Sequence, residues 1–308
     1  MKVIYGISKV KRRIRNAVLA IGVFDGLHLG HQKLIRTAIK RAKKIHGKSI
    51  VMTFDPHPVH VLYPEVHLPL ITTLPSRLRL LKEFGVDAVI VVAFTKEFSQ
   101  LTPLEFIDGY LVKHVEPKEI FVGDDFRFGV DRSGTLKIFS EAGRKYGFEI
   151  NSIHSAREEK GKISSTTIRE LIADGNLQKA KKLLGRNVSI SGAVIRGDGR
   201  GKLLGFPTAN LNTQNEVLPP IGVYAVKVNI GRREINGMAN IGYRPSFKNK
   251  DHQVSSEVHL FDFKKNLYGR DISIEFIRKI RDERIFNSTQ KLIDQLCKDE
   301  IKARKILS

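Results

Sequence analysis

The sequence predicts an α/β domain followed by a small antiparallel β-barrel that ends in a helix. Three observations carry this expectation. The chain has 308 residues, more than one hydrophobic core comfortably serves, so two domains are expected. The first half alternates short β-branched runs with helical patterns, which implies a parallel sheet with helices on both faces. Near Gly185 the pattern changes to short strands punctuated by Gly and Pro, which suggests a small, mostly antiparallel barrel.

Taken in order, residues 18–24, 49–54, 88–94 and 119–122 read as buried strands, short, apolar and bounded by turn residues. Between the first two lies a helix. Leu34, Ile35, Ala38, Ile39, Ala42 and Ile45 share one face, Lys and Arg fill the other, and Gly47 is the expected C-cap. Residues 78–84 and 103–112 read as further helices. In such a sheet a ligand is expected at the carboxyl ends of the strands. In the second half, residues 188–194, 223–228, 234–241, 255–259 and 272–276 read as strands, with turns at Pro219-Pro220 and Gly231. Ser288 is placed to cap a final amphipathic helix with Leu292, Leu296 and Ile306 inward, and Cys297 falls in that helix as a packing or bystander residue. The domain join is expected to be short, which gives domains 1–184 and 185–308.

Composition narrows the function classes. Lys and Arg total 53 against 32 Asp and Glu, a formal charge of +21 that favours phosphate-bearing or polyanionic partners. The basic residues are spread along the chain, and the densest clusters, 9–15 and 40–44, are short. A lysine-rich solvated surface therefore accounts for most of the excess. No face interleaves aromatic and basic residues, no known nucleic-acid-binding motif is present and there is no Trp, so a nucleic-acid partner is not expected. No apolar run reaches the length of a bilayer span, and the basic start is not followed by a long apolar segment with a cleavage site, so neither a membrane partner nor a signal peptide is expected. Cys297 is the single cysteine, which rules out an internal disulfide and fits a reducing compartment such as the cytoplasm.

Two constellations carry chemistry. The first is Gly22-Val23-Phe24-Asp25-Gly26-Leu27-His28-Leu29-Gly30-His31, which follows the first predicted strand and opens the first helix. Glycines there let the backbone approach a ligand, and a helix N-terminus offers N–H groups and positive dipole to an anion. Two imidazoles three residues apart can face one way and donate to phosphate oxygens. Together they make a phosphate site without a GxxxxGK[ST] loop, which the chain lacks. Two His and one Asp alone are weak evidence for zinc. Ile163-Ser164-Ser165-Thr166-Thr167-Ile168-Arg169 adds hydroxyls suited to capping a helix, and hydroxyl and guanidinium donors suited to a polyphosphate.

The second constellation is Gly197-Asp198-Gly199-Arg200-Gly201-Lys202, a glycine-rich basic loop leading into Gly205-Phe206-Pro207-Thr208-Ala209-Asn210. Thr208 and Asn210, two apart in an extended segment, point the same way and offer neutral oxygens to Mg²⁺. Alternation within Ser256-Glu257-Val258-His259-Leu260 does not decide whether Glu257 is an exposed strand residue or a site residue.

The first constellation has the paired signature GxFDxxHxGH and ISSTxIR of nucleotidyltransferases that adenylylate or cytidylylate a phosphate. More closely, the chain resembles the bacterial bifunctional riboflavin kinase/FMN adenylyltransferase (FAD synthase) family. Thr53-Phe54-Asp55-Pro56-His57-Pro58 and Val122-Gly123-Asp124-Asp125-Phe126-Arg127-Phe128-Gly129 match its further N-terminal motifs. Gly205-Phe206-Pro207-Thr208-Ala209-Asn210 is the signature of its kinase half, and Asn240-Ile241-Gly242-Tyr243-Arg244-Pro245-Ser246-Phe247 and Leu267-Tyr268-Gly269 follow in order. Val23 stands where many relatives carry Asn, Ser246 replaces a commoner Thr, and Lys202 a commoner Arg.

The resemblance implies a Rossmann-like nucleotidyltransferase domain and a barrel of riboflavin kinase type, with both reactions in one chain. Riboflavin and ATP would give FMN, and FMN and ATP would give FAD and pyrophosphate, so flavins are substrate and product. It implies that Gly22, Phe24, Asp25, His28, His31, Ser164, Ser165, Thr166 and Arg169 bind ATP for adenylyl transfer, with His28 and His31 stabilising charge. Phe54, Pro56 and Asp125 would lie near the flavin. Gly199, Gly201, Lys202, Thr208 and Asn210 would bind ATP for the kinase step, with Thr208 and Asn210 on Mg²⁺ and Glu257 as general base.

Overall fold

A computed structural model describes residues 1–10, 14–154, 157–158, 161–197, 199–213, 216–243 and 254–308. Its contacts divide the chain into two compact units, Met1–Leu68 with Leu74–Ser165, and Pro69–Thr73 with Thr166–Ser308.

The first unit is a six-stranded sheet of β1 (Lys2–Tyr5), β2 (Ala17–Ile21), β3 (Lys48–Asp55), β4 (Ala88–Ala93), β5 (Glu119–Gly123) and β6 (Glu149–Ile153), in the order β1-β4-β3-β2-β5-β6. Every pairing in it is parallel. Every residue of β2 is buried. Its side chains alternate between two cores, Ala17, Leu19 and Ile21 on one face and Val18 and Ala20 on the other. A strand covered on both faces has no polar side, and its sequence is correspondingly an unbroken apolar run. The helix Leu29–Lys44 covers one face with Leu34, Ile35, Ala38 and Ala42. Burying Leu34 and Ile35 contributes about 1.5–3 kcal/mol each. The other face is covered by a helical turn at Pro103–Phe106 that continues as a π-helix over Ile107–Val115, and by Leu136–Tyr146. A short antiparallel pair, β7 (Arg157–Glu158) and β8 (Gly161–Lys162), follows.

One expected detail is corrected. The helix Leu29–Lys44 is closed by His46, whose φ is 51°, while Gly47 sits one residue beyond and donates its N–H to the Ala42 carbonyl at 2.8 Å. The left-handed residue of this C-terminal motif is thus His46, and Gly47 occupies the next position.

The second unit holds a closed barrel of β9 (Val188–Ile195), β10 (Ala209–Leu211), β11 (Gly222–Ile230), β12 (Arg233–Tyr243), β13 (Val254–Leu260) and β14 (Asp271–Arg281), in the order β10-β13-β12-β11-β14-β9. All its pairings are antiparallel, and β9 pairs with β10 to close it. The final helix, Thr289–Leu307, begins at Ser288, whose hydroxyl accepts the Lys291 N–H at 3.3 Å. It packs Leu296, Ala303 and Ile306 against Phe206, Val223, Phe261 and Ile280. Cys297 is exposed on it. A part-buried ion pair fastens this helix: Arg281 Nε lies 2.8 Å from the buried carboxylate oxygen Asp299 Oδ2. Arg281 keeps its bond to the Asp282 carbonyl, so Asp299→Ala removes a charge-assisted hydrogen bond and is expected to destabilise the barrel by about 1.5–3 kcal/mol, read as a drop in its thermal unfolding midpoint.

The segment Pro69–Thr73 belongs to this second unit although the chain on either side of it belongs to the first. Leu70 forms a parallel bridge with Glu216, its carbonyl accepts the Val217 N–H at 2.8 Å, and Arg169 Nε donates to the Pro69 carbonyl at 2.8 Å.

Candidate functional site

In the first unit, β2 and β5 are neighbours whose connections leave toward opposite edges of the sheet. Such a switch point opens a crevice at the carboxyl ends of the strands. The loop after β2 enters it by sharp turns: Phe24 has φ 55°, Gly26 79° and Leu27 43°. These turns set His28 at the N-cap of Leu29–Lys44, where its Nδ1 accepts the His31 backbone N–H at 3.3 Å. An imidazole nitrogen that accepts carries no proton, so the proton of neutral His28 sits on Nε2.

The His28 and His31 rings stack with centroids 3.6 Å apart, and the buried Phe24 ring stands edge-on to His31 at 5.3 Å. His31 Nδ1 is buried with no hydrogen-bond partner. Burial first, then the nearby His28 and Arg77, hold His31 well below the usual imidazole value of 6.5. Gly22, Phe24, His28, Gly30, His31, Gly123, Asp125, Phe126, Ser164 and Ser165 line a cleft of about 250 Å³. Asp25 is buried, and its carbonyl accepts the Ser165 hydroxyl at 2.9 Å.

The unfolded chain binds the His31 proton more readily than the folded one, so the folded state is favoured above 6.5 and loses that contribution as pH falls below it. Melting temperature is expected to drop between about pH 8 and about pH 5, and to drop less in His31→Gln.

The remaining residues of the first constellation fall elsewhere. Phe54 lies in the aromatic core against Phe94 and Phe98, and Pro56 is exposed; neither lines the cleft. Thr166 and Arg169 belong to the second unit.

In the barrel, Asn210 on β10, Glu257 on β13 and Asn240 on β12 are successive cross-strand partners, so their side chains share one face. Thr208, just before β10, donates its hydroxyl proton to Glu257 Oε2 at 3.2 Å. Glu257 is half-buried and bonded, not a free strand residue. The glycine loop lies close over this row. A Cβ on Gly197 would meet Asn210 Nδ2 at 2.2 Å, and one on Gly201 would meet the Phe206 carbonyl at 2.4 Å and Thr208 Oγ1 at 3.2 Å. Gly199 and Lys202 are exposed. Asp198 and residues 244–247 of the family-like motifs lie outside the described residues.

A hydroxyl, an amide oxygen and a carboxylate gathered beneath Gly197 and Gly201 form an all-oxygen donor set, which suits Mg²⁺ better than zinc or copper. Thr208 also lines a cleft of about 270 Å³ with Pro207, Leu260, Phe263, Asn266 and Tyr268, and the Arg196 guanidinium stands 5.9 Å over the Tyr268 ring.

Sequence reading missed two contributors, Arg77 and Asn240. Arg77 is 1% exposed on the helix Leu74–Glu83, and Nη1 donates to the buried Thr53 hydroxyl at 2.9 Å. Its signal was available: Leu74, Arg77, Leu78 and Leu81 have helical one-face spacing, and a charge on that stripe is out of pattern. Asn240 lay inside a quoted motif without an assigned role.

Residues 10–167 match the family model described as FAD synthetase, and residues 184–307 that described as riboflavin kinase. The chain is 41% identical over 307 residues to the bifunctional riboflavin kinase/FMN adenylyltransferase of Escherichia coli K12, covering 99% of this chain and 97% of that one. It is 40% identical over 303 residues to the protein of the same name from Bacillus subtilis 168, covering 97% and 95%. A crystal structure titled macrolide-efflux protein from Streptococcus pneumoniae superimposes with a TM-score of 0.83 and 35% identity over 99% of each chain. Among the described residues, no helix is long and apolar enough to cross a membrane.

Proposed function

The chain belongs to the family of bifunctional riboflavin kinases/FMN adenylyltransferases, and from that premise we propose that it carries out both reactions, each in its own cleft. ATP and riboflavin give FMN and ADP in the barrel, and ATP and FMN give FAD and pyrophosphate in the histidine cleft. The observation that supports the reading is that the stacked imidazoles line one cleft of the first unit with Ser164 and Ser165, while strand pairing brings Thr208, Asn210 and Glu257 together on the barrel.

In adenylyl transfer an oxygen of the FMN phosphate attacks the α-phosphorus of ATP and pyrophosphate leaves. The attacking oxygen is already ionised, so no protein nucleophile or strong base is needed, and catalysis reduces to alignment and charge stabilisation. His28 Nε2–H and the free N–H groups at the start of Leu29–Lys44 donate to the triphosphate, and neutral His31 adds a donor whose ring is fixed by Phe24 and His28. Ser164 and Ser165 extend the triphosphate contacts, and Asp125 stands on the flavin side.

In the kinase step the riboflavin 5′-hydroxyl attacks the γ-phosphorus. Glu257 accepts its proton as the new O–P bond forms and the bond to ADP breaks. Thr208 orients that carboxylate by its hydrogen bond. Thr208 and Asn210 would hold Mg²⁺ with ATP, where the ion neutralises phosphate charge. The glycine loop lies over the phosphates, and the cleft beside Thr208 is the room for the nucleotide. We put the domain boundary at 184/185, which a riboflavin kinase match beginning at residue 184 supports, and the enzyme in the cytoplasm, a reading that its single cysteine supports.

The test is direct. Purified protein incubated with riboflavin, ATP and Mg²⁺ is expected to yield both FMN and FAD by chromatography. Accumulation of FMN alone, or no turnover, would overturn the two-reaction reading.

A further inference from the structure

We propose that Arg77 is a positioning residue for adenylyl transfer, holding the loop that carries the two histidines and supplying fixed positive charge behind it. The proposal rests on the reading of the histidine cleft given above. Arg77 Nη1 donates to Thr53 Oγ1 at 2.9 Å and to the Phe54 carbonyl at 3.3 Å. The Thr53 hydroxyl reaches the Val23 carbonyl at 2.8 Å. A guanidinium can only donate, so Thr53 must give its own proton to Val23, and the relay has a single polarity. It runs from the helix Leu74–Glu83, through the end of β3, to the residue after Gly22.

Two observations distinguish this from the filling of a core. Arg77 Nε is buried and has no hydrogen-bond partner, whereas a buried guanidinium is normally satisfied by several acceptors. The oxygens that Nη1 does reach are neutral, and the carboxylates of Asp25 and Asp55 offset the charge only through space. That charge is felt at His31, beside His28. A cation fixed under a phosphate-binding loop, incompletely neutralised by the protein, finds its remaining counter-charge in a bound triphosphate. The charge needs no reorganisation during the reaction because Thr53 and Phe54 already fix its place.

The experiment compares full-length Arg77→Met, Arg77→Lys and Thr53→Val. For each, kcat and KM for ATP are measured for FAD formation from supplied FMN, with riboflavin phosphorylation by the same sample as the control for folding. Arg77→Met is expected to lower kcat of FAD formation by about 10²-fold and to leave riboflavin phosphorylation unchanged. Arg77→Lys should restore most of the loss, and Thr53→Val should lower kcat by about tenfold. The His31 imidazole, followed by NMR, should titrate higher in Arg77→Met than in the parent and not in Arg77→Lys. Unchanged kcat in Arg77→Met, or equal losses in the Met and Lys variants with unmoved His31 titration, would overturn the proposal. If Arg77→Met does not fold, the Lys and Thr53→Val variants decide alone. A parent enzyme that makes no FAD from FMN would instead overturn the reading of the cleft.

Discussion

Glu257→Gln should lower the rate of riboflavin phosphorylation by about 10³-fold while FAD formation from supplied FMN stays at the parent level. Glutamine keeps the shape of the side chain and an oxygen that can still accept from Thr208, now 3.2 Å from Glu257 Oε2. What it loses is the capacity to take a proton. The comparison therefore isolates the base from the fold, and the two activities measured on one preparation provide the control. If phosphorylation survives in this variant, the riboflavin hydroxyl loses its proton elsewhere, and the row Asn210–Glu257–Asn240 has some other purpose.

The reverse separation is expected of His28→Ala combined with His31→Ala. FAD formation should fall by at least 10²-fold, the order lost when one preorganised donor is removed, and FMN formation should persist. His28 also caps its helix through Nδ1, and losing a cap costs about 1 kcal/mol. That contribution is separable. Asparagine is a good cap but lacks the outward Nε2–H, so His28→Asn should keep the melting temperature and still lose FAD formation. Recovery of FAD synthesis in His28→Asn would mean that the imidazole serves only the helix.

The central strands and both motif sets were legible because their signals are local. β2 through β5 are apolar runs, and the His28–His31 spacing lies within one turn. The edge strands were not. β1 exposes Lys2 and Tyr5, and β6 exposes Glu149 and Ser152, so neither reads as a buried run. β10 is three residues long, too short to show a period. The convergence of Thr208 and Glu257, 49 residues apart, exists only through strand pairing. Phe54 shows the limit of a motif: the string is local, but its ring turns into the core beside Phe94 and Phe98. Arg77 went unassigned because a charge on an apolar stripe acquires meaning only once its acceptors are known.

The chain visits the barrel unit at Pro69–Thr73 before it comes back to stay at Thr166. No single cut therefore yields two intact halves. A fragment that starts at residue 185 forfeits the Leu70 carbonyl that accepts the Val217 N–H. Dissection of the two activities is better done by inactivating substitutions in the whole polypeptide than by scissors.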